Sequence, residues 1–260
     1  MGEALWAGVA AAYDRSFATL CEGAVPELVA RLTGHRRVLD AGCGTGHLAA
    51  ALVAAGHRVE AVDLDPEMAD LTRRRSGVPA RVASLTGLPA DLDGLDAVAA
   101  NFVLNHVDHP AAAVSSLAGV LRPGGRLAAT VWTSRPTPHG QLFDSVLREA
   151  GAVLPAFPRL APELDFDRSP EGLARLAAGP GLTVVDAYVH PWQWEVAADD
   201  LFAGLTRVGN FGAAWRAQSM AVQQRALDAW TDRAPEVGTY AVECAVLVAD
   251  RPRGAGTFPR

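Results

Sequence analysis

Residues 38–47, Val38-Leu39-Asp40-Ala41-Gly42-Cys43-Gly44-Thr45-Gly46-His47, run an apolar strand stub into an acidic residue and three alternating glycines. Glycines at a strand-to-helix turn permit backbone conformations closed to residues with side chains and let a ligand press against the main chain. The next such stretch, Arg58-Val59-Glu60-Ala61-Val62-Asp63, ends on a carboxylate 21 residues after Gly42, suited to accept both hydroxyls of a ribose. Each feature alone has a plain structural explanation. Tight packing also calls for glycine, and Asp65 followed by Pro66 is a good helix start in its own right. Together they specify an open α/β sheet that grips a nucleoside.

The spacing narrows which nucleoside. A dinucleotide fingerprint reads G-x-G-x-x-G, with a helix N-terminus aimed at the pyrophosphate. Here the third glycine comes one residue early. The segment instead resembles the first motif of class I S-adenosylmethionine-dependent methyltransferases. Asp63-Leu64-Asp65-Pro66-Glu67-Met68 is similar to that family's second motif. Leu88-Pro89 followed by Leu95-Asp96-Ala97-Val98-Ala99-Ala100-Asn101-Phe102-Val103-Leu104-Asn105-His106 is similar to its third and fourth. Leu121-Arg122-Pro123-Gly124-Gly125-Arg126-Leu127 matches the turn before strand 5, so the ordered set covers residues 35–133.

The resemblance implies S-adenosylmethionine as cofactor and assigns residues to it. Asp40 helps order the turn and the methionine end, Gly42 and Gly44 let the backbone approach the methionyl and ribose portions, and Asp63 accepts the ribose hydroxyls. Leu64 and Met68 pack on the adenine. Where the family commonly has an Asp after strand 3 to accept the adenine amino group, this chain has Ser84, followed by Leu85, whose amide can serve. A neutral hydroxyl is a weaker acceptor than a carboxylate, so adenine recognition leans on main-chain bonds. Asn101 falls near the methionine ammonium, and Tyr13 over its carboxylate.

Periodicity fills in the rest. Apolar runs at 36–41, 58–63, 80–83, 95–100 and 125–132 read as strands, separated by helices near 46–55, 66–76 and 110–121; later strands run from Leu182 to about Trp192 and from Val237 to Ala249. The expected fold is a Rossmann-like, mostly parallel sheet of seven strands, the last antiparallel, with helices on both faces and a helical lid. At 260 residues and 50% hydrophobic, the chain reads as one domain over 1–260. Within it, 1–33 form an N-terminal helical cap, 34–133 the cofactor-binding core, 134–178 and 195–235 lid insertions, and 237–250 the final strand.

Composition removes several classes. All 23 basic residues are arginine, so neither a Schiff-base lysine nor a P-loop lysine exists. A net charge of −6 argues against nucleic acid as a partner; Arg73-Arg74-Arg75 reads as a solvated helix end. Cys21, Cys43 and Cys244 lack zinc-site spacing. Magnesium-dependent members of the family place an Asp-Asn pair after strand 5, where Trp132-Thr133-Ser134 stands here, so no metal is expected. With neither a cleavable leader nor an apolar run near the roughly 18–20 residues that span a bilayer, no membrane partner and a cytosolic location are expected. Oligomeric state is not legible.

Ten large aromatics occupy the cap and lid segments: Trp6, Tyr13, Phe17, Phe143, Phe157, Phe166, Phe202, Phe211, Trp215 and Trp230. They favour an apolar, ring-bearing small molecule as substrate over a sugar or phosphate. If its acceptor atom carries a proton, His106, just past the fourth strand, is the first candidate base, with His139 and His190 in reserve. The expected function is O- or N-methyl transfer to a specialised metabolite. Other readings are cyclisation in the same cofactor-bearing fold, an NAD-dependent oxidoreductase and an inactive binding subunit. The early third glycine and the missing Tyr-x-x-x-Lys pair count against the oxidoreductase.

Overall fold

A computed structural model describes residues 8–157 and 159–253; Trp6, assigned above to the cap, lies outside them. The chain forms helices α1 (Ala10–Arg15), α2 (Phe17–Glu22) and α3 (Val25–Arg31), then β1 (Arg37–Ala41), α4 (His47–Ala54), β2 (Arg58–Asp63), α5 (Pro66–Ser76), β3 (Ala80–Val82) and β4 (Leu95–Asn101). A 3₁₀ turn at Val103–Asn105 leads to α6 (Pro110–Val120) and β5 (Leu121–Trp132). Then come α7 (Pro138–Glu149), α8 (Pro170–Ala178), β6 (Thr183–Ala197), α9 (Ala198–Arg207), α10 (Gly209–Arg216), α11 (Met220–Arg233) and β7 (Val237–Asp250).

The strands make one sheet in the order β3-β2-β1-β4-β5-β7-β6. Strands β1 to β5 pair in parallel, and β7 runs antiparallel to β5 from Arg126↔Asp250 to Trp132↔Cys244. The seven-stranded, mostly parallel sheet expected from the sequence is therefore present. The order reverses between β1 and β4, and in open α/β sheets ligands bind outside the carboxyl ends of the strands at such a switch point. Ion pairing reinforces the one antiparallel register: Arg126 Nε lies 2.7 Å from Asp250 Oδ1 on the facing strand.

The chain divides into two compact units. The sheet unit comprises Ala24–Ser134, Leu160–His190 and the residues from Cys244 onward. Its strands alternate between two cores, as in a sheet covered on both faces, save for an irregularity between Leu95 and Ala97 of β4. Leu39, Val98, Ala100, Leu127, Ala129 and Val131 join α6 and α8 on one side. Val38, Ala97, Ala99 and Ala128 join α3, α4 and α5 on the other. Helix α5 starts as its sequence says: Asp65 caps it, accepting the Glu67 and Met68 amides at 2.7 and 3.3 Å, with Pro66 in the first position.

The second unit comprises the residues up to Gly23, Arg135–Arg159 and Pro191–Glu243. This differs from the segmentation read from sequence, because residues 24–33 and 160–178 go with the sheet unit. The reason is local pattern: Leu28 of α3 and Leu173 and Ala177 of α8 are fully buried against the sheet's two cores. Within the second unit Phe143 is completely buried, with Phe211, Trp215, Trp230 and Phe202 rings 6.0–6.5 Å away. Phe143 and Trp230 thus serve as that unit's own core. Strand β6 runs on to Ala197 rather than stopping near Trp192, since Trp194 and Val196 continue the alternation by burying every second side chain.

Candidate functional site

The glycine turn is fixed from three directions. The amides of Gly42 and Cys43 both donate to Val62 O, at 2.8 and 3.0 Å, tying the end of β1 to β2. Asp63 then uses both carboxylate oxygens on backbone: Oδ2 accepts the Gly44 amide at 2.8 Å and Oδ1 the Asp65 amide at 3.0 Å. A carboxylate has about four lone-pair positions, so even with the Leu64 amide also acting on it Asp63 keeps acceptor capacity beyond its backbone partners. From beneath, Thr72 Oγ1 donates to Gly44 O at 2.9 Å and Arg75 to Thr45 O at 2.8 Å.

Thr72 and Arg75 went unseen in the sequence, where Arg73-Arg74-Arg75 reads as a solvated helix end. Only Arg74 behaves that way, its side chain 74% exposed beside Asp70. Arg73 donates to Ala80 O at 2.6 Å, and Arg75 holds the turn. The available signal was their spacing of three residues, which puts Thr72 and Arg75 on one face of α5.

Beneath the turn lies Asp40, 1% exposed, whose carboxylate oxygens have no hydrogen-bond partner among the described residues. Burial first, then the Asp63 charge, pushes its pKa up to about 7, and the Ala49 amide on α4 opposes this without reaching hydrogen-bond geometry. Asp63 is itself raised by burial, against the pull of the amides it accepts. The Cys43 thiol is raised too, by burial and then by these two acids, and so stays protonated. The turn is therefore a site of concentrated, poorly compensated negative charge.

Asn101, Phe102 and His106 lie at the carboxyl end of β4. Phe102 adopts a left-handed backbone (φ 57°), a rare state for a bulky residue. Its amide bonds Thr130 O and Oγ1 at 3.1 and 3.0 Å, and its ring stacks on Trp132 at 3.9 Å. Val103 follows so closely on the turn that a Cβ on Gly42 would sit 2.3 Å from Val103 Cγ2. Asn105 Oδ1 accepts the Trp132 amide at 3.0 Å, fixing the segment that presents His106.

For His106, surrounding protein and secondarily the Arg168 charge drive the pKa down to about 4, yet the residue is exposed by surface area. Water on the ring counteracts desolvation, so solvent contact governs and the imidazole is a solvated neutral base with a pKa below its ordinary value.

The other residues assigned from sequence are spread more widely. Leu64 is 45% exposed beside Asp63, whereas Met68 is buried at 4%. Ser84 Oγ pairs with Thr86 Oγ1 at 2.9 Å, and the Leu85 side chain packs into the core. His190 lies on β6, the edge strand, where Glu27 feels its charge. Tyr13 belongs to the second unit, 3.8 Å from Cys21 Sγ. His139 is in that unit as well, 2% exposed, its pKa lowered to about 4 by burial and its ring edge-on to Trp194 at 5.2 Å. No helix among the described residues is long and apolar enough to cross a membrane.

These features fit a nucleoside that carries an amino-acid tail and a positive charge. Asp63 offers lone pairs to a ribose, the Gly42 cradle leaves no room for a side chain, and the buried Asp40 oxygens lack partners. Residues 39–129 match the family model described as a methyltransferase domain. A demethylmenaquinone methyltransferase of Clavibacter sepedonicus is 37% identical over 146 residues, which make up 52% of this chain and 59% of that protein. A ubiquinone biosynthesis O-methyltransferase of Xanthomonas campestris pv. campestris is 39% identical over 106 residues, 38% of this chain and 44% of that one. The chain thus spans about half the length of the curated relatives it matches. In fold, it is similar to a putative methyltransferase from Bacillus halodurans, with a TM-score of 0.57, 15% identity and coverage of 88% of this chain and 98% of the other. The cyclase SpnF is also similar, with a TM-score of 0.57, 21% identity and coverage of 90% and 82%. Motif, domain match and fold agree that residues 39–129 are a match to a methyltransferase domain, set in a sheet with the fold of such proteins.

Proposed function

We propose that the protein transfers a methyl group to an oxygen or nitrogen of a small, largely apolar or ring-bearing specialised metabolite. The observation that carries the nucleoside half of this reading is the Asp63 carboxylate, which orders the glycine turn through Gly44 while keeping lone pairs for a ribose. The relatives named for demethylmenaquinone and ubiquinone chemistry support a ring-bearing acceptor. When bound, S-adenosylmethionine supplies an electrophilic methyl group on a sulfonium. The chain's own task is to hold the acceptor at about 3–3.5 Å from that carbon and to exclude water. His106, neutral and solvent-facing at the end of β4, takes the acceptor's proton where one must leave.

Calorimetry tests the cofactor half. The protein should bind S-adenosylhomocysteine at micromolar affinity or better and show no heat with NAD; the reverse preference overturns the reading. Asp63→Ala should weaken S-adenosylhomocysteine by roughly 1.5–3 kcal/mol, the range for hydrogen bonds to a charged group. An unaltered dissociation constant in a folded variant would put the ribose elsewhere. Mass analysis of the product distinguishes a methylated acceptor from a cyclised isomer.

For the chemistry, His106→Ala should lower kcat by about 10²-fold or more while leaving cofactor affinity in place, with partial rescue at high pH as the acceptor ionises unaided. Near-normal turnover in the variant would show that the acceptor needs no base.

A further inference from the structure

Opposite the glycine turn, at the amino ends of the parallel strands, the sheet collects arginine. Arg36 and Arg37 lead into β1, Arg58 opens β2 and Arg122 stands at the start of β5. Because β7 runs antiparallel to β5, its far end brings Arg251 and Arg253 to the same edge. These strands lie side by side in the order β2-β1-β4-β5-β7, so at about 4.8 Å per strand the row extends roughly 20 Å. Asp96 of β4 sits in its middle, with its carboxyl held down to about 2, first by the hydrogen bond from Arg122 Nε at 2.6 Å and then by the Arg37 amide at 2.8 Å. Of the other acids nearby, Glu60 is shared by Arg37 and Arg81, Asp250 pairs with Arg126, and Asp93 precedes β4.

Half of these arginines are engaged internally. Arg37 donates to Asp93 O and Gly94 O at 3.4 Å, Arg122 holds Asp96, and Arg251 donates to Gly119 O at 3.0 Å near the end of α6, where a cation also suits the helix dipole. The guanidiniums of Arg36, Arg58 and Arg253 have no hydrogen-bond, ion-pair or ring partner among the described residues, and all three residues are exposed. They also lie beside their own kind. The Arg58 amide donates to Arg36 O at 2.7 Å on the neighbouring strand. The position a Cβ on Gly124 would take is 3.2 Å from Arg253 Nε and 3.7 Å from an Arg122 Nη. Like charges gathered in this way repel, and an external anion relieves the repulsion.

We propose that this edge docks on an anionic lipid surface, with Arg36, Arg58 and Arg253 taking headgroup phosphates. Arginine suits phosphate because its planar fork donates bidentately. The rest of the edge decides among anionic partners. Segments 32–37, 55–58, 91–96, 119–126 and 250–253 contain no Phe, Tyr or Trp on which the bases of a single strand would stack. Their large apolar residues, Leu32, Leu92, Leu95, Val120 and Leu121, are buried, so a protein partner would find no apolar anchor. A layer of headgroups needs neither. Connections on this edge are short among the described residues, since β5 follows α6 directly and only residues 55–57 join α4 to β2. The net charge of −6 does not forbid the contact, because physiological salt screens charges beyond about 8 Å and leaves the edge to act through its local excess of arginine. The sequence expectation of no membrane partner rested on span length and a leader, and a surface held by charge requires neither. The glycine turn, at the other end of β1, stays clear of the docked edge.

Co-flotation of the full chain with vesicles tests this. The protein should float with vesicles of phosphatidylglycerol and phosphatidylcholine in equal parts, stay behind with phosphatidylcholine alone, and be released as salt rises. Each of Arg36→Gln, Arg58→Gln and Arg253→Gln should lower the partition coefficient about fivefold, and the three together about a hundredfold. Arg15→Gln, an exposed arginine of the second unit paired with Asp200, should leave it unchanged. Circular dichroism confirms that each variant is folded, and the comparison of vesicle compositions needs no variant at all. Failure to float with the anionic vesicles at low salt, equal flotation with both kinds, or an unaffected triple variant each overturns the proposal. Tighter binding of a single-stranded DNA oligonucleotide through the same three arginines overturns it in favour of nucleic acid. Saturable binding of inorganic pyrophosphate that the triple variant loses, without flotation, overturns it in favour of a free phosphate ligand.

Discussion

At about pH 8, Asp40→Asn is expected to make the protein more stable than the wild type, with the difference shrinking as pH falls and the two similar only below about pH 4. The Asp40 carboxyl titrates near 7 in the folded protein against 3.8 in its ordinary state, chiefly because it is buried. Between those values the folded chain holds a proton that the unfolded chain has released. Stability attributable to this group is therefore complete below the lower value and lost as pH rises through the upper one. At about 1.4 kcal/mol per unit, three units amount to roughly 4 kcal/mol, an upper figure that relaxation and water entry reduce. His139 slopes the opposite way, since burial lowers it from 6.5 to about 4, so its contribution grows with pH over that range. The wild-type profile alone mixes the two, and the difference between wild type and Asp40→Asn isolates Asp40. Urea unfolding across the pH range measures it. A difference that stays constant with pH would mean that Asp40 is ionised throughout.

The second large effect is expected for Gly42→Ala, which should cost about 3 kcal/mol or more. The residue sits at φ +74°, and an added Cβ would meet Val103 Cβ at 2.5 Å as well as its methyl at 2.3 Å. A rotamer change moves the methyl but cannot move Cβ, so either the turn or the segment after β4 must shift. Gly56 provides the control: its φ is +89°, yet a Cβ there meets nothing within 4 Å. Gly56→Ala should therefore show only the backbone strain of about 1–2 kcal/mol. Thermal unfolding of both variants reads the contact as the difference between them. Matching losses would show that the segment at Val103 yields freely.

The turn and the sheet were legible because their signals are local. Three glycines, an acid at the end of each of the first two strands and the alternation of apolar residues all lie within a few positions of one another. What escaped was decided by partners distant in sequence. Arg75 and Thr72 look like ordinary helix residues until their contacts with Thr45 and Gly44 are seen. The aromatics of residues 134–235 favour a ring-bearing substrate when read from sequence, and nothing in their spacing says that Phe143 and Trp230 are buried among their own kind.

The interleaving of the two units bears on how the protein is made. Neither unit is a continuous stretch: the chain passes between them after Gly23, Ser134, Arg159, His190 and Glu243. On the ribosome the second unit cannot be completed until Glu243 has emerged, and the sheet lacks β7 until about Asp250. At elongation rates of about 5–20 residues per second, the N-terminal helices wait on the order of ten seconds or more for their partners. During that interval the β1–β5 layers present apolar faces and an open edge on β5, the kind of nascent surface that chaperones occupy. Synthesis late in the chain, rather than the early appearance of the nucleoside turn, sets when this fold can close.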